Sequence, residues 1–153
     1  MKKPLIIDFQ IALEKASKYC AYQERCQWDV ERKLNEWNVD TEIQDEVVAN
    51  LITEGFLNEE RFSKAYTQGK VNIKRWGKYK VRNELKARQI SNYSIEKAFQ
   101  EIDEEIYLSN LRNLIEAKRH SMIGNSEFEI KMKLIRYLIS KGYETELINK
   151  YID

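Results

Sequence analysis

The sequence is poor in residues that interrupt helices. Pro4 is the only proline among 153 residues, and there are five glycines. So few breakers argue against a fold built from many short strands and tight turns. No segment alternates apolar and polar residues between turn signals, so no strand is expected. No apolar run reaches the roughly 18 residues that a membrane-spanning helix needs. The opening "MKKPLIIDFQIALEKA" meets Asp8 after three apolar residues. That is too short for the core of a signal peptide and implies a cytoplasmic protein.

Cysteine and histidine are almost missing. Cys20 and Cys26 lie six residues apart, and the single histidine, His120, is far away. This spacing matches no zinc site, and an intracellular chain is expected to keep both cysteines as thiols on or near a helix. There is no glycine-rich phosphate loop, no metal-ligand cluster and no nucleophile beside a base. The sequence therefore calls for no enzyme, no metal and no cofactor. His120, in "EAKRHS", is expected at an exposed helix end.

What is abundant is Glu, Lys, Leu, Ile, Ala, Arg and Gln, the composition of an all-α protein. One pattern occurs three times. "WDVERKLNEWNVDTEIQDEVV" carries Trp28, Val30, Leu34, Val39, Ile43 and Val47. "YKVRNELKARQISNYSIEKAF" carries Tyr79, Val81, Leu85, Ile90, Ile95 and Phe99, and "MKLIRYLISKGYETELINKY" carries Met132, Leu134, Leu138, Tyr143, Leu147 and Tyr151. Leu34 and Leu85 are 51 residues apart, Leu85 and Leu138 are 53 apart, and matching apolar to apolar residues requires one extra residue near Asn92.

The pattern predicts a tail over residues 1–8 and three-helix units over 9–57, 58–102 and 103–153. Each helix is expected to run roughly 10–15 residues. Asn58, Ser91 or Ser94, and Ser126 are the expected N-caps. Gly55 is placed to end the third helix, and Phe62, Ala65 and Tyr66 are placed on the inner face of the fourth. Links between units are short, and units of this size share buried surface, so the expected whole is an elongated, curved array.

The charges are nearly balanced over the chain, with a net of +1, yet locally they are not. Between Lys74 and Lys86 there are six lysines and arginines against one acid, Glu84. With Val81 and Leu85 pointing inward, Lys78, Arg82 and Lys86 form a stripe and Tyr79 lies on the exposed side. Lys74, Arg75 and Trp76 precede the helix, Gly77 opens it, and Lys70 and Arg88 extend the positive field. Free N–H groups at a helix start attract anions, whereas cations there oppose the helix dipole.

The repeat supplies an internal control. Gln27, Asp29 and Glu31 match Lys78, Lys80 and Arg82, and Ile135 and Ile139 match Arg82 and Lys86. Only the middle copy carries the stripe, which points to an anion-binding face for nucleic acid or an acidic protein groove. Trp76 is open to two roles, packing and contact. From Asp40 to Glu60 there are seven acids and no Lys or Arg. This reads either as solvated helix starts or as the second pole of a bipolar surface.

"YCAYQERCQWDVERKL", "LNEERFSKAYTQGK", "IKRWGKYKVRNELKARQIS" and "YLSNLRNLIEAKR" resemble the RecX regulatory proteins of bacteria, in a form similar to Bacteroidetes-like members. The likeness spans nearly the whole chain, is most specific in the first two units and is weak in the third. One departure is Gln89-Ile90, where the family often has Gly-Ile. The resemblance implies tandem three-helix repeats and a monomeric regulator that is not an enzyme. Its partners would be the RecA recombinase and the RecA filament on single-stranded DNA, whose recombinase, ATPase and coprotease activities it would restrain. On that reading Lys74, Arg75, Lys78, Arg82 and Lys86 are electrostatic contacts, with Trp76 and Tyr79 as aromatic ones. The alternative is a sequence-independent nucleic-acid-binding helical module with no dedicated protein partner.

Overall fold

A computed structural model describes residues 8–153. Seven of the eight residues of the expected tail lie outside them, and Asp8 is the N-cap of the first helix. The helices are α1 Phe9–Tyr22, α2 Gln27–Glu36, α3 Thr41–Thr53, α4 Glu59–Asn72, α5 Lys78–Ala87, α6 Asn92–Gln100, α7 Glu104–His120, α8 Glu127–Ser140 and α9 Thr145–Tyr151. Among the described residues there is no strand. No described helix is long and apolar enough to cross a membrane. The chain is thus all-α, three tandem units of three helices. The lengths scatter beyond the expected range, with 17 residues in α7 and seven in α9.

The local signals act where the sequence puts them. Asn58 accepts from the Arg61 N–H, Ser91 from the Ser94 N–H and Ser126 from the Glu129 N–H. Each satisfies one of the orphan donors of a helix start. Gly55 follows the end of α3 with φ +81°. His120 is the exposed last residue of α7.

The middle helices end alike. Asn38, Gln89 and Gly142 all adopt positive φ, at 56°, 62° and 99°. The following N–H groups, of Val39, Ile90 and Tyr143, donate to Leu34, Leu85 and Leu138 at 3.0, 3.1 and 3.1 Å. This is the Schellman arrangement, built three times. Gln89 therefore takes up a left-handed turn without the freedom of glycine, at a cost of roughly 1–2 kcal/mol.

These caps also correct the repeat register. The third helices start on Asp40, Ser91 and Glu144, again 51 and 53 residues apart, so no extra residue is needed near Asn92. Ile95 matches buried Gln44 and Ile148, not Ile43 and Leu147. The pattern misled because Gln44 is a polar residue in a core position. It is kept there by hydrogen bonds to the Val39 carbonyl (2.9 Å) and the Asn35 side chain (2.8 Å).

Val30, Leu34, Val81, Leu85, Leu134 and Leu138 are fully buried, each burial worth about 2 kcal/mol. Small residues decide how the first helix of a unit packs. Ala12 and Ala16 on α1, and Ser63 and Thr67 on α4, are fully buried and let these helices lie along α3 and α6. This corrects the expected inner face of α4: Phe62, Ser63, Thr67 and Val71 are buried, Tyr66 is half-buried, and Ala65 is exposed. Ala65 lies well round the helix from the line through Ser63, Thr67 and Val71. In the third unit the inner face carries Tyr107, Leu111 and Ile115 instead, and α7 packs against α8 and α4.

Two apolar cores result. One belongs to the first unit, and the other runs continuously through the second and third. The joint between first and second is largely polar. Arg88 lies 3.9 Å from Asp29, its guanidinium is over Trp28 and Tyr66, and Arg61 pairs with Glu24. Cys20 and Cys26 are buried free thiols, one in each core.

Candidate functional site

The basic stretch lies at the joint between the second and third units. Here α5 runs its N-terminus into the C-terminal turn of α8. The Gly77 N–H donates to the Lys141 carbonyl at 2.7 Å and the Tyr79 N–H to the Gly142 carbonyl at 2.9 Å. The Lys78 N–H donates to the Tyr107 hydroxyl at 2.8 Å, and that hydroxyl donates in turn to Glu144. Burial and the Glu144 carboxylate both push the Tyr107 phenol far above its ordinary range. A Cβ on Gly77 would lie 2.2 Å from the Gly142 carbonyl carbon, and one on Gly142 would lie 2.4 Å from Lys80 Cβ. Only two glycines permit this approach.

The N–H groups of Gly77, Lys78 and Tyr79 at the start of α5 are therefore not open to anions, because the α8 carbonyls and Tyr107 hold them. The electrostatic argument changes too. The positive end of α5 meets the negative end of α8, which offsets the cost of placing lysines there.

The candidate residues divide into three groups. Lys78 pairs with Glu104 at 3.5 Å and lies over the Tyr107 ring. Arg82 pairs with Glu96 at 2.6 Å and lies over Phe99. Much of their charge is answered within the molecule. Trp76 is half-buried against the core, with the ammonium groups of Lys70 and Lys80 at 4.7 and 4.5 Å from its ring centroid. It packs and holds two cations, so its ring is not an open stacking surface. Lys74, Arg75, Tyr79 and Lys86 are exposed, Tyr79 at 57%. Arg75 has φ +57°, and its carbonyl accepts from the Tyr143 hydroxyl at 2.8 Å.

The fold gathers a cluster that the stripe did not anticipate. Lys70, Lys74, Arg75, Lys80 and Lys141 surround Trp76 and the α5–α8 contact. None of them has a carboxylate within 4 Å among the described residues. Lys141 is held below the usual lysine range by burial and by the charges of Lys80 and Lys74. Lys141 lies more than 60 residues from Lys74, and no local signal joins them. Arg88, expected to extend this field, instead ties the first unit to the second. Such mutual repulsion without an internal counter-charge is relieved by a bound anion.

Residues 58–98 match the model of the RecX second three-helix domain, and residues 104–152 match that of the RecX third three-helix domain. The chain is 30% identical over 141 residues to the regulatory protein RecX of Bacillus cereus strain B4264 and, equally, to that of Bacillus thuringiensis strain Al Hakam. The match covers 92% of this chain and 52% of each relative, so the chain spans about half the length of the curated relatives it matches. The crystal structure of RecX from Lactobacillus salivarius superposes with a TM-score of 0.80 at 20% identity, covering 94% of both chains. A second crystal structure, of a regulatory protein RecX, gives 0.82 at 19% identity over 99% of this chain and 81% of the other. Two matched domains, the three-helix units that contain them and relatives aligned along nearly its whole length place this chain in the RecX family of regulatory proteins.

Proposed function

We propose that the chain is a monomeric, cytoplasmic regulator that binds the RecA filament on single-stranded DNA and restrains its recombinase, ATPase and coprotease activities. On this reading it is not an enzyme and needs no cofactor. The observation that carries the proposal is the unpaired cluster of Lys70, Lys74, Arg75, Lys80 and Lys141, in a chain of the RecX family. Lys74, Arg75 and Lys86 are free to reach phosphate, with Tyr79 beside them. Lys78 and Arg82 can do so only by leaving Glu104 and Glu96.

The test is Lys74→Glu/Lys80→Glu/Lys86→Glu. The folded variant is expected to lose at least tenfold in its inhibition of strand exchange and filament ATPase. Parent-like inhibition would refute the assignment.

The packed Trp76 ring favours one second reading, sequence-independent binding to phosphate alone. It predicts tight binding to bare single-stranded DNA, with a log–log salt slope of about −3.5 for five phosphate contacts. Weak binding to bare DNA beside tight binding to the filament rejects it.

A further inference from the structure

The joint between the first and second units leaves a groove of ≈ 840 Å³ that shares no residue with the cation cluster. Its base contains Leu57 and Ile90, both buried. Its lips carry Ile52 from α3 and Tyr93 from α6, 52% and 62% exposed. The carboxylates of Glu31 and Glu60 also line it. Neither has a cationic partner within 4 Å among the described residues. The one cation of the groove, Arg88, is already engaged by Glu84 at 3.3 Å and lies 3.9 Å from Asp29. Glu59, also in the lining, is held by the Ser91 and Ser94 hydroxyls at 2.8 and 2.6 Å and stays ionised.

These features select an occupant. Exposed Ile52 and Tyr93 are stabilised by apolar side chains that cover them. Carboxylates with no cation beside them, one of which (Glu31) accepts from the neutral Gln27 amide at 2.7 Å, favour Lys or Arg and repel phosphate. A nucleic acid strand is thus disfavoured here, and the two ends of the second unit present opposite chemistry. We infer that this groove docks a positively charged, apolar-tipped segment of the recombinase, while the cation cluster faces the nucleic acid. The inference rests on the reading of the chain as a recombinase regulator. It further requires the first and second units together, because each supplies one lip.

Binding of the fluorescently labelled full chain to RecA is measured with and without single-stranded DNA, and to bare single-stranded DNA. Ile52→Ser/Tyr93→Ser and, independently, Glu31→Gln/Glu60→Gln change exposed or half-exposed side chains, and circular dichroism checks their fold. The expected result is a loss of at least tenfold for the first pair and about threefold for the second in affinity for RecA, with affinity for bare DNA unchanged. Lys74→Glu/Lys80→Glu is expected to weaken only the DNA-dependent part. The inference is overturned if both groove variants bind RecA within twofold of the parent, or if they lose affinity for bare DNA equally. Failure of the parent to bind RecA in either form overturns the functional reading, and this inference with it.

Discussion

The contact between Gly77 and Gly142 gives the sharpest test of how the second and third units are joined. In Gly77→Ala the new Cβ would stand 2.2 Å from the Gly142 carbonyl carbon and 2.3 Å from its oxygen. Carbon atoms prefer about 3.5 Å or more, so α5 and the α8 turn must separate by roughly 1.3 Å. Both neighbours are backbone, and no side chain can swing aside. Separation lengthens the bonds from the Gly77 N–H and the Tyr79 N–H, now 2.7 and 2.9 Å. Two hydrogen bonds at about 1 kcal/mol each, plus about 1–3 kcal/mol of overpacking, predict a loss of about 3–5 kcal/mol.

Two other glycines calibrate that number. Gly55 has φ +81° and Gly69 is helical, and neither has an atom within 4 Å of an added Cβ. Gly55→Ala is expected to cost about 1 kcal/mol through left-handed backbone strain alone. Gly69→Ala, inside α4, is expected to stabilise by about 0.5–1 kcal/mol. Equilibrium urea unfolding measures all three. A Gly77→Ala unfolding free energy within about 0.5 kcal/mol of the parent, or equal to that of Gly55→Ala, would refute the described joint.

Two further outcomes follow from the other joint and from the cores. Arg88→Ala removes the charged contacts to Glu84 and Asp29 and the stacking on Trp28 and Tyr66. It should cost about 2 kcal/mol and speed amide exchange at the α2 and α4 surfaces that meet there, while Arg88→Lys should recover less than half because it lacks the planar fork. Burial pushes the Cys20 and Cys26 thiols up to about 11 and about 12, well above an ordinary thiol. The unfolded chain therefore releases these protons first, and stability should fall from pH 9 to about pH 11 through Cys20 and to about pH 12 through Cys26, at about 1.4 kcal/mol per thiol per pH unit. Cys20→Ala/Cys26→Ala should flatten that slope in unfolding curves measured against pH, and an unchanged slope would contradict the burial.

Gln44, Gln89 and Ala65 show where residue patterns mislead. The apolar pattern shifted the second repeat by one residue because hydrogen bonds allow a polar Gln44 to sit where its counterparts are isoleucine. Gln89 lacks the freedom of glycine, yet the bonds from Gln89 and Ile90 back to Lys86 and Leu85 hold it in the left-handed region. Ala65 looked internal because it is apolar, but a fully buried serine and threonine mark the real contact line with α6. Hydrogen bonds override residue type at Gln44 and Gln89, and the packing of α4 on α6 does so at Ala65.

The candidate site was legible in part. Tyr79 and Lys86 are exposed, as the helical geometry of the stripe implied, and so are Lys74 and Arg75 ahead of the helix. The ion pairs of Lys78 with Glu104 and of Arg82 with Glu96 bridge 26 and 14 residues and belong to the packing of helices on one another. Lys80 was visible in the sequence but looked like one charge among six. Lys141 becomes part of the cluster only because Gly142 brings the α8 turn against α5.

The sequence by itself determined the helices, their caps and their threefold recurrence. The forces responsible act within four residues: an i to i−4 hydrogen bond, an Asn or Ser cap two or three residues away, a Leu one turn from a Val. Tertiary structure alone decided which helix ends meet, which cations are neutralised and which remain free. Those outcomes depend on contacts between residues up to 68 positions apart, such as Tyr143 with Arg75. Backbone spacing as close as that of Gly77 and Gly142 creates such contacts, and no local pattern encodes it.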